Sequence, residues 1–146
     1  MASFVKFQPF VEALAHGKHV LKTSGGHDLK VLLTNTQPQA SFANISSLTE
    51  ITAKNGYVAG GNAAVVSASS QTSGTYRLVL ADPSSWTATT ADDATGIGPF
   101  RWACLYNATS GGDLIGYWDY GSSITLSEGE SFLVDFNASL GVLTLI

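Results

Sequence analysis

The last third of the chain consists almost entirely of four stretches: PFRWACLYN (99–107), LIGYWDYG (114–121), SSITLSEGE (122–130) and SFLVDFNASLGVLTLI (131–146). Apolar and aromatic residues alternate with polar ones in these stretches, and glycine-containing segments such as ATSGGD (108–113) separate them. Short alternating runs divided by glycine turns are typical of antiparallel β-strands. This part of the chain therefore predicts a β-sandwich or barrel.

Upstream, the same pattern continues. Strands are predicted for DLKVLLTN (28–35), for residues 65–69, for TYRLVLA (75–81) and for residues 86–90. The total is about eight strands without alternating helices, which favours an antiparallel architecture. No linker or change of composition divides the chain. We therefore predict an all-β fold, an antiparallel β-sandwich of jelly-roll type with a short N-terminal helix, forming a single domain over residues 1–146.

The N-terminal segment, residues 1–17, carries apolar side chains at helical spacing: Phe4, Phe7, Phe10, Val11 and Leu14. Pro9 fits only the first turn of a helix, so we predict a helix from near Gln8 to Gly17, with Phe4 and Phe7 on an extended arm before it. The aromatic side chains of this segment either cover one end of the sandwich or reach a neighbouring subunit. Phe4, Phe7 and Phe10 are therefore candidates for a protein interface.

Strand alternation assigns side chains to faces of the sheet. Phe100, Trp102, Cys104 and Tyr106 are predicted to share one face, and Tyr117 to lie opposite Trp118 and Tyr120. Tyr117, Trp118 and Tyr120 are further interface candidates, with sugar stacking as the alternative role for an exposed aromatic cluster. Ser47 and Glu50 have the spacing of a capping box, which predicts a short helical turn within residues 46–53.

Composition excludes several classes of partner. The net charge is −4, and the seven Lys and Arg residues are scattered, so the basic patch that binds nucleic acid is missing. No apolar run reaches the length of a membrane span, and no signal peptide is visible. Charged residues make up only 12% of the chain, so little charge opposes close contact between copies of it. The single cysteine, Cys104, is predicted to pack as a small apolar residue.

No pattern in the sequence predicts catalysis, a metal or a cofactor. His16, His19 and His27 lack the ligand spacing of a zinc site and are interpreted as solvated loop residues. Asp92 and Asp93 do not follow a calcium-loop pattern, and no nucleophile elbow or phosphate-binding glycine loop is present. The sequence therefore predicts a protein that is not an enzyme.

The chain resembles small virion structural proteins of tailed bacteriophages, of the capsid decoration or cement type. The resemblance rests on MASFVKFQPFVEALAHGKH (1–19), LKVLLTNTQP (29–38), EITAKNGYVAGGNAA (50–64), TSGTYRLVLADPSSWTA (72–88), IGPFRWACLYN (97–107) and LIGYWDYGSSITLSEGESFLVDF (114–136). It implies a β-sandwich body on the capsid surface of a virion, reached after synthesis in the host cytoplasm. The implied partners are the major capsid protein and further copies of this chain, as a homodimer or homotrimer.

Two other hypotheses stay open. The first is a glycan-binding module or a tail-tip or fibre-associated virion protein, suggested by the Tyr117, Trp118 and Tyr120 cluster. The second is a hydrolase with an unrecognised pair of carboxylates, which would need both groups in one cleft.

Overall fold

Every strand pair in the computed structural model, which describes residues 2–146, is antiparallel. Strands account for 39% of the residues and helices for 6%, so the prediction of an all-β protein is confirmed. The elements are β1 (Val5–Lys6), α1 (Phe10–Ala15), β2 (Leu29–Thr34), a 3-10 helix (Ile45–Ser47), β3 (Asn62–Ala63), β4 (Val66–Thr72), β5 (Thr75–Leu80), β6 (Trp86–Thr87), β7 (Ile97–Asn107), β8 (Asp113–Leu126), β9 (Ser131–Phe132) and β10 (Leu143–Leu145).

The strands form three sheets. The largest has the order β1-β8-β7-β2-β3, the second has the order β10-β5-β4, and β6 pairs with β9. The long hairpin of β7 and β8 lies at the centre of the largest sheet. No helix among residues 2–146 has the length and apolar character that crossing a membrane would require.

Apolar side chains are buried on both faces of the largest sheet. Along β2, Leu29, Val31 and Leu33 belong to the larger core, which also contains side chains from the other two sheets. Leu32 points the other way, into a smaller core with Phe7. Because both faces are covered, the β2 sequence LKVLLT is an almost continuous apolar run rather than an alternating one.

The N-terminal helix is shorter than predicted. Pro9 precedes it as the N-cap residue, and α1 ends at Ala15, where the backbone N–H of His16 donates to the carbonyl of Glu12. The predicted helical turn near residues 46–53 lies earlier, at Ile45–Ser47, and is capped by the side chain of Asn44. The predicted capping box of Ser47 and Glu50 was wrong, because the Glu50 carboxylate instead accepts hydrogen bonds from other parts of the fold.

The predicted shared face of Phe100, Trp102, Cys104 and Tyr106 was also wrong. Phe100 lies in the larger core, whereas Cys104 and Tyr106 lie in the smaller one. The pairing of β7 with β8 shifts register between Phe100 and Trp102, and a shift of this kind moves the residues before it to the opposite face. The prediction that Tyr117 and Trp118 lie on opposite faces agrees with their packing against different cores.

The segment between α1 and β2 has no regular secondary structure, yet it is not fully solvated. His19 is only 5% exposed, and its ring contacts Phe10 with 5.0 Å between ring centroids. The interpretation of all three histidines as solvated loop residues was therefore wrong for His19. Its burial is explained by the apolar surface that α1 offers on one side.

Candidate functional site

An apolar groove with a volume of about 330 Å³ lies between the central hairpin and the segment that follows β9. We call it the aromatic groove and define it by six side chains: Phe4, Trp102, Trp118, Tyr120, Phe132 and Phe136. These residues come from the N-terminal arm, β7, β8, β9 and the irregular segment 133–142, so the groove exists only in the folded chain. Binding sites are commonly concave and mostly apolar, which makes this groove the candidate site.

One wall of the groove is a row of three aromatic rings. The rings of Phe4 and Trp118 have centroids 5.1 Å apart, and those of Trp118 and Phe136 are 5.4 Å apart. Both pairs are tilted, an arrangement that aromatic quadrupoles favour over a face-to-face sandwich. Since Phe136 is buried and Trp118 half-buried, this wall is anchored in the larger core.

A second set of groove residues is more exposed. The ring of Tyr120 meets that of Phe132 edge-on at 5.8 Å, and Phe132 in turn packs against Phe100 at 4.9 Å. Tyr120 remains 55% exposed, and two further groove residues, Leu133 and Leu140, are 48% and 71% exposed; we call these three residues the rim of the groove. Several exposed large apolar side chains around one groove are characteristic of an interaction surface.

Arg101, which lines the groove, forms a bidentate ion pair with Asp119. Arg101 Nε donates to Asp119 Oδ1 at 2.7 Å, and the second nitrogen donates to Oδ2 at 2.9 Å. The guanidinium lies 4.8 Å from the centre of the Trp102 ring, as in a cation–π contact. The hydrogen bonds from Arg101 lower the pKa of Asp119, and the same bonds raise the pKa of Arg101. The pair therefore contributes a fixed polar feature with almost no net charge.

The six interface candidates from the sequence fall into different environments. Phe4, Trp118 and Tyr120 line the aromatic groove. Phe7 and Phe10 are 0% and 1% exposed, because residues of this chain cover them. The side chains of these two candidates are therefore not accessible to a partner protein in this structure.

Tyr117 packs against Phe7 with 5.0 Å between ring centroids and lies away from the groove. Sequence reasoning did not identify Arg101, Phe132 or Phe136 as site residues. Phe132 and Phe136 share an alternating pattern, which indicated burial but not the surface that they form.

Ionisable groups elsewhere are engaged in hydrogen bonds that hold loops together. Buried Asn55 bonds to Asp92 and Asp93, and Glu50 Oε1 accepts from the Tyr57 hydroxyl at 2.7 Å. Within residues 2–146, no three His, Cys, Asp or Glu side chains are grouped closely enough to hold a metal ion. Burial raises the pKa of the Cys104 thiol, which disfavours the reactive thiolate.

Comparison of the chain with protein family models, with curated proteins and with solved structures gave no match.

Proposed function

We propose that this protein is a structural attachment protein that acts by binding other proteins, and specifically a decoration or cement protein on the head of a tailed bacteriophage. The observation that carries the proposal is the aromatic groove with its exposed rim of Tyr120, Leu133 and Leu140. The resemblance of the sequence to such virion proteins supplies the identity of the partner. No catalytic step, metal or cofactor is part of the proposal.

The groove suits a protein contact in its energetics. Aromatic side chains dominate the binding energy of many interfaces, and a ring that is already held by neighbouring rings loses little conformational freedom on binding. Trp118 is held in this way between Phe4 and Phe136. Burying Tyr120, Leu133 and Leu140 against a partner would contribute a favourable free energy of about 25 cal/mol for each Å² of apolar surface removed from water.

The charged groups near the groove add little free-energy cost to this contact. The side chain of Arg101, which lines the groove, already makes two hydrogen bonds to Asp119 within the chain. A buried ion pair costs least when its hydrogen bonds are complete before the partner arrives. A cement protein contacts the shell and its own copies, as a homodimer or homotrimer, so weak single contacts add up through avidity.

We further propose that the largest sheet and the three-stranded sheet form a sandwich. The support for it is the larger core, which combines Leu33 and Leu105 of the largest sheet with Leu78 and Leu143 of the three-stranded sheet. Two sheets that bury one common set of side chains are expected to lie face to face, about 10 Å apart. Such a body would be rigid enough to present the groove to a shell.

Cryo-electron microscopy of intact particles tests the proposal. We expect density for this chain at regular positions on the head, with the rim of the aromatic groove against a neighbouring protein. Absence from purified heads, or presence only at the tail tip, would overturn it. Light scattering of the purified protein tests the oligomer separately, and a strict monomer at high concentration argues against self-association.

Two single substitutions in the groove test whether it is the attachment surface. Tyr120→Ser and Leu133→Ser should reduce the amount of protein retained on particles after washing, because both remove apolar rim surface. Val65→Ser is the matched control, since Val65 is 63% exposed and does not line the groove. Equal retention of all three variants would show that the groove is not the attachment surface.

Glycan binding is the second candidate, favoured by the polar pair of Arg101 and Asp119 beside the ring of Trp102, which lines the same groove as Trp118. Sugars stack on aromatic rings through their apolar faces while their hydroxyls bond to nearby polar groups. A glycan array distinguishes the two functions. Binding to a defined glycan that is lost in Trp118→Ala would favour this alternative, and a blank array would remove it.

A further inference from the structure

Asn107, at the end of β7, is fully buried and is surrounded by hydrogen-bond acceptors. Its Nδ2 lies 3.1 Å from the backbone carbonyl oxygen of Lys18, 3.1 Å from Nδ1 of His19 and 2.9 Å from Nδ1 of His27. Its Oδ1 accepts from the backbone N–H of Ser110 at 3.1 Å, which fixes the orientation of the amide. Asn107 therefore joins the segment between α1 and β2 to the turn between β7 and β8.

The amide nitrogen has two hydrogens and three neighbouring acceptor atoms, so it can donate fully to two of them at a time. An Nδ1 atom that accepts a hydrogen from Asn107 is unprotonated, so a neutral His19 held in this contact carries its hydrogen on Nε2. A proton added to Nδ1 of His19 or His27 would point an N–H at the N–H groups of Asn107.

His19 is the more buried of the two rings: it is 5% exposed, and its Nε2 has no hydrogen-bond partner within residues 2–146. The ring packs against Phe10 of α1, which offers no acceptor other than its π face. The charged or titratable groups that act on His19 are Asp113 of β8, His27 and Lys18. Lys18 also lies 3.9 Å from Asp113 and partly neutralises it.

We propose that Asn107, His19 and His27 form an acid-sensitive latch, which holds residues 16–28 against the β7–β8 turn when His19 is neutral and releases them when His19 is protonated. Release would break the contacts of Asn107 with both rings and weaken the packing of His19 on Phe10. The latch is separate from the aromatic groove and does not depend on the proposed attachment function.

The direction of the pH effect follows from the burial of His19. Desolvation lowers the pKa of His19 below its usual 6.5, an effect that Asp113 opposes and that His27 and Lys18 reinforce. The unfolded chain then binds a proton more readily than the folded one. Stability is fully present above about pH 6.5 and is lost as the pH falls from there toward the folded pKa.

The test compares His19→Asn with His16→Asn. Asparagine keeps an acceptor near the position of Nδ1 but does not titrate, whereas His16 is an exposed histidine of the same segment. Thermal unfolding is measured between about pH 7.5 and pH 5, the range in which histidines titrate. When the pH is lowered over this range, we expect the Tm of the wild type and of His16→Asn to fall further than the Tm of His19→Asn. The extra fall should be about 3–5 °C for each tenfold difference between the proton affinities of His19 in the folded and unfolded chain.

Histidine ring resonances in the wild type give a second readout that does not depend on any variant folding. We expect the His19 ring to titrate below pH 6.5, with the side-chain NH2 signals of Asn107 and the backbone signals of residues 16–28 changing over the same pH range. A His19 ring that titrates at or above pH 6.5, or Asn107 signals that stay constant while it titrates, would overturn the latch. So would a His19→Asn variant with the same pH profile as the wild type.

Discussion

The ring of Phe4 occupies the space that a side chain at position 116 would fill. A Cβ on Gly116 would overlap Cε2 and Cζ of Phe4 and would lie 2.9 Å from the carbonyl oxygen of Val5. This contact accompanies the pairing of β1 with β8, in which Lys6 lies opposite Gly116. The missing side chain in a central strand is thus what allows the N-terminal arm to become one wall of the aromatic groove.

Gly116→Ala should displace the arm. We expect the free energy of unfolding to fall by about 1–3 kcal/mol, the usual cost of forcing extra volume into a packed site. Because Phe4 contacts Trp118, the fluorescence of that tryptophan should also change in the folded state. Urea unfolding followed by fluorescence and by circular dichroism measures both effects.

Phe4→Ala combined with Gly116→Ala provides the control. Removing the ring relieves one clash but leaves the contact with the Val5 carbonyl, so the double variant should lose less stability than the two single variants added together. Additive losses would mean that Phe4 and Gly116 do not determine each other's packing.

Asn55 is expected to be one of the costliest polar residues to replace. It is fully buried with φ +51°, its Nδ2 donates to Asp93 Oδ1 and to the Gly96 carbonyl, and its Oδ1 accepts from the backbone N–H of Asp92. Asn55→Ala removes these bonds and places alanine in a left-handed conformation. We expect a loss of about 2–4 kcal/mol in the free energy of unfolding, measured by urea denaturation.

Asn55→Gly separates the two causes of this loss. Glycine adopts the positive φ without strain but makes no side-chain hydrogen bonds, so it should be more stable than Asn55→Ala by about 1 kcal/mol and still well below the wild type. Equal stability of the two variants would mean that backbone conformation contributes nothing at this position.

Much of the fold could be predicted because strand sequences carry local signals. The segment TYRLVLA (75–81) alternates and ends at Asp82-Pro83, and β5 indeed covers Thr75–Leu80. Pro9 correctly indicated where the N-terminal helix could begin. These features depend on neighbouring residues and need no knowledge of the rest of the chain.

The errors arose where distant residues decide the outcome. The register shift that separates Phe100 from Cys104 depends on β8, since Phe100 pairs with Ile124 while Cys104 pairs with Tyr117. His19 looks like a loop residue until Phe10 and Asn107 are placed beside it. The aromatic groove was missed for the same reason, because its rings come from segments far apart in the sequence.

Cys104 should be unreactive in the folded protein. Its side chain is fully buried in the smaller core, and burial raises its pKa, so both access and thiolate formation are suppressed. We expect a disulfide-exchange reagent to label it only after urea unfolding. Ser70→Cys, at an exposed position on β4, is the positive control and should add one thiol that reacts at once. Rapid labelling of Cys104 in the native protein would contradict the packing of this core.

Tyr57 should link stability to alkaline pH. Its hydroxyl accepts from the backbone N–H of Leu33 at 3.0 Å in a buried setting, and it donates to Glu50 Oε1 at 2.7 Å in a partly buried one. Burial, with the Glu50 carboxylate adding to it, raises the pKa of Tyr57 well above 10. The folded state thus prefers the protonated phenol, so its contribution to stability is present below about pH 10 and is lost as the pH rises further.

Tyr57→Phe should cost about 1–3 kcal/mol at neutral pH, because it leaves the Leu33 N–H buried without an acceptor. The same variant should lose less stability than the wild type as the pH rises above 10, since the group that must be deprotonated is gone. Tyr120→Phe, which changes an exposed hydroxyl, should stay within about 0.5 kcal/mol of the wild type at neutral pH. Urea unfolding at a series of pH values measures all three proteins. Parallel alkaline profiles for the wild type and Tyr57→Phe would show that the buried phenol does not control this transition.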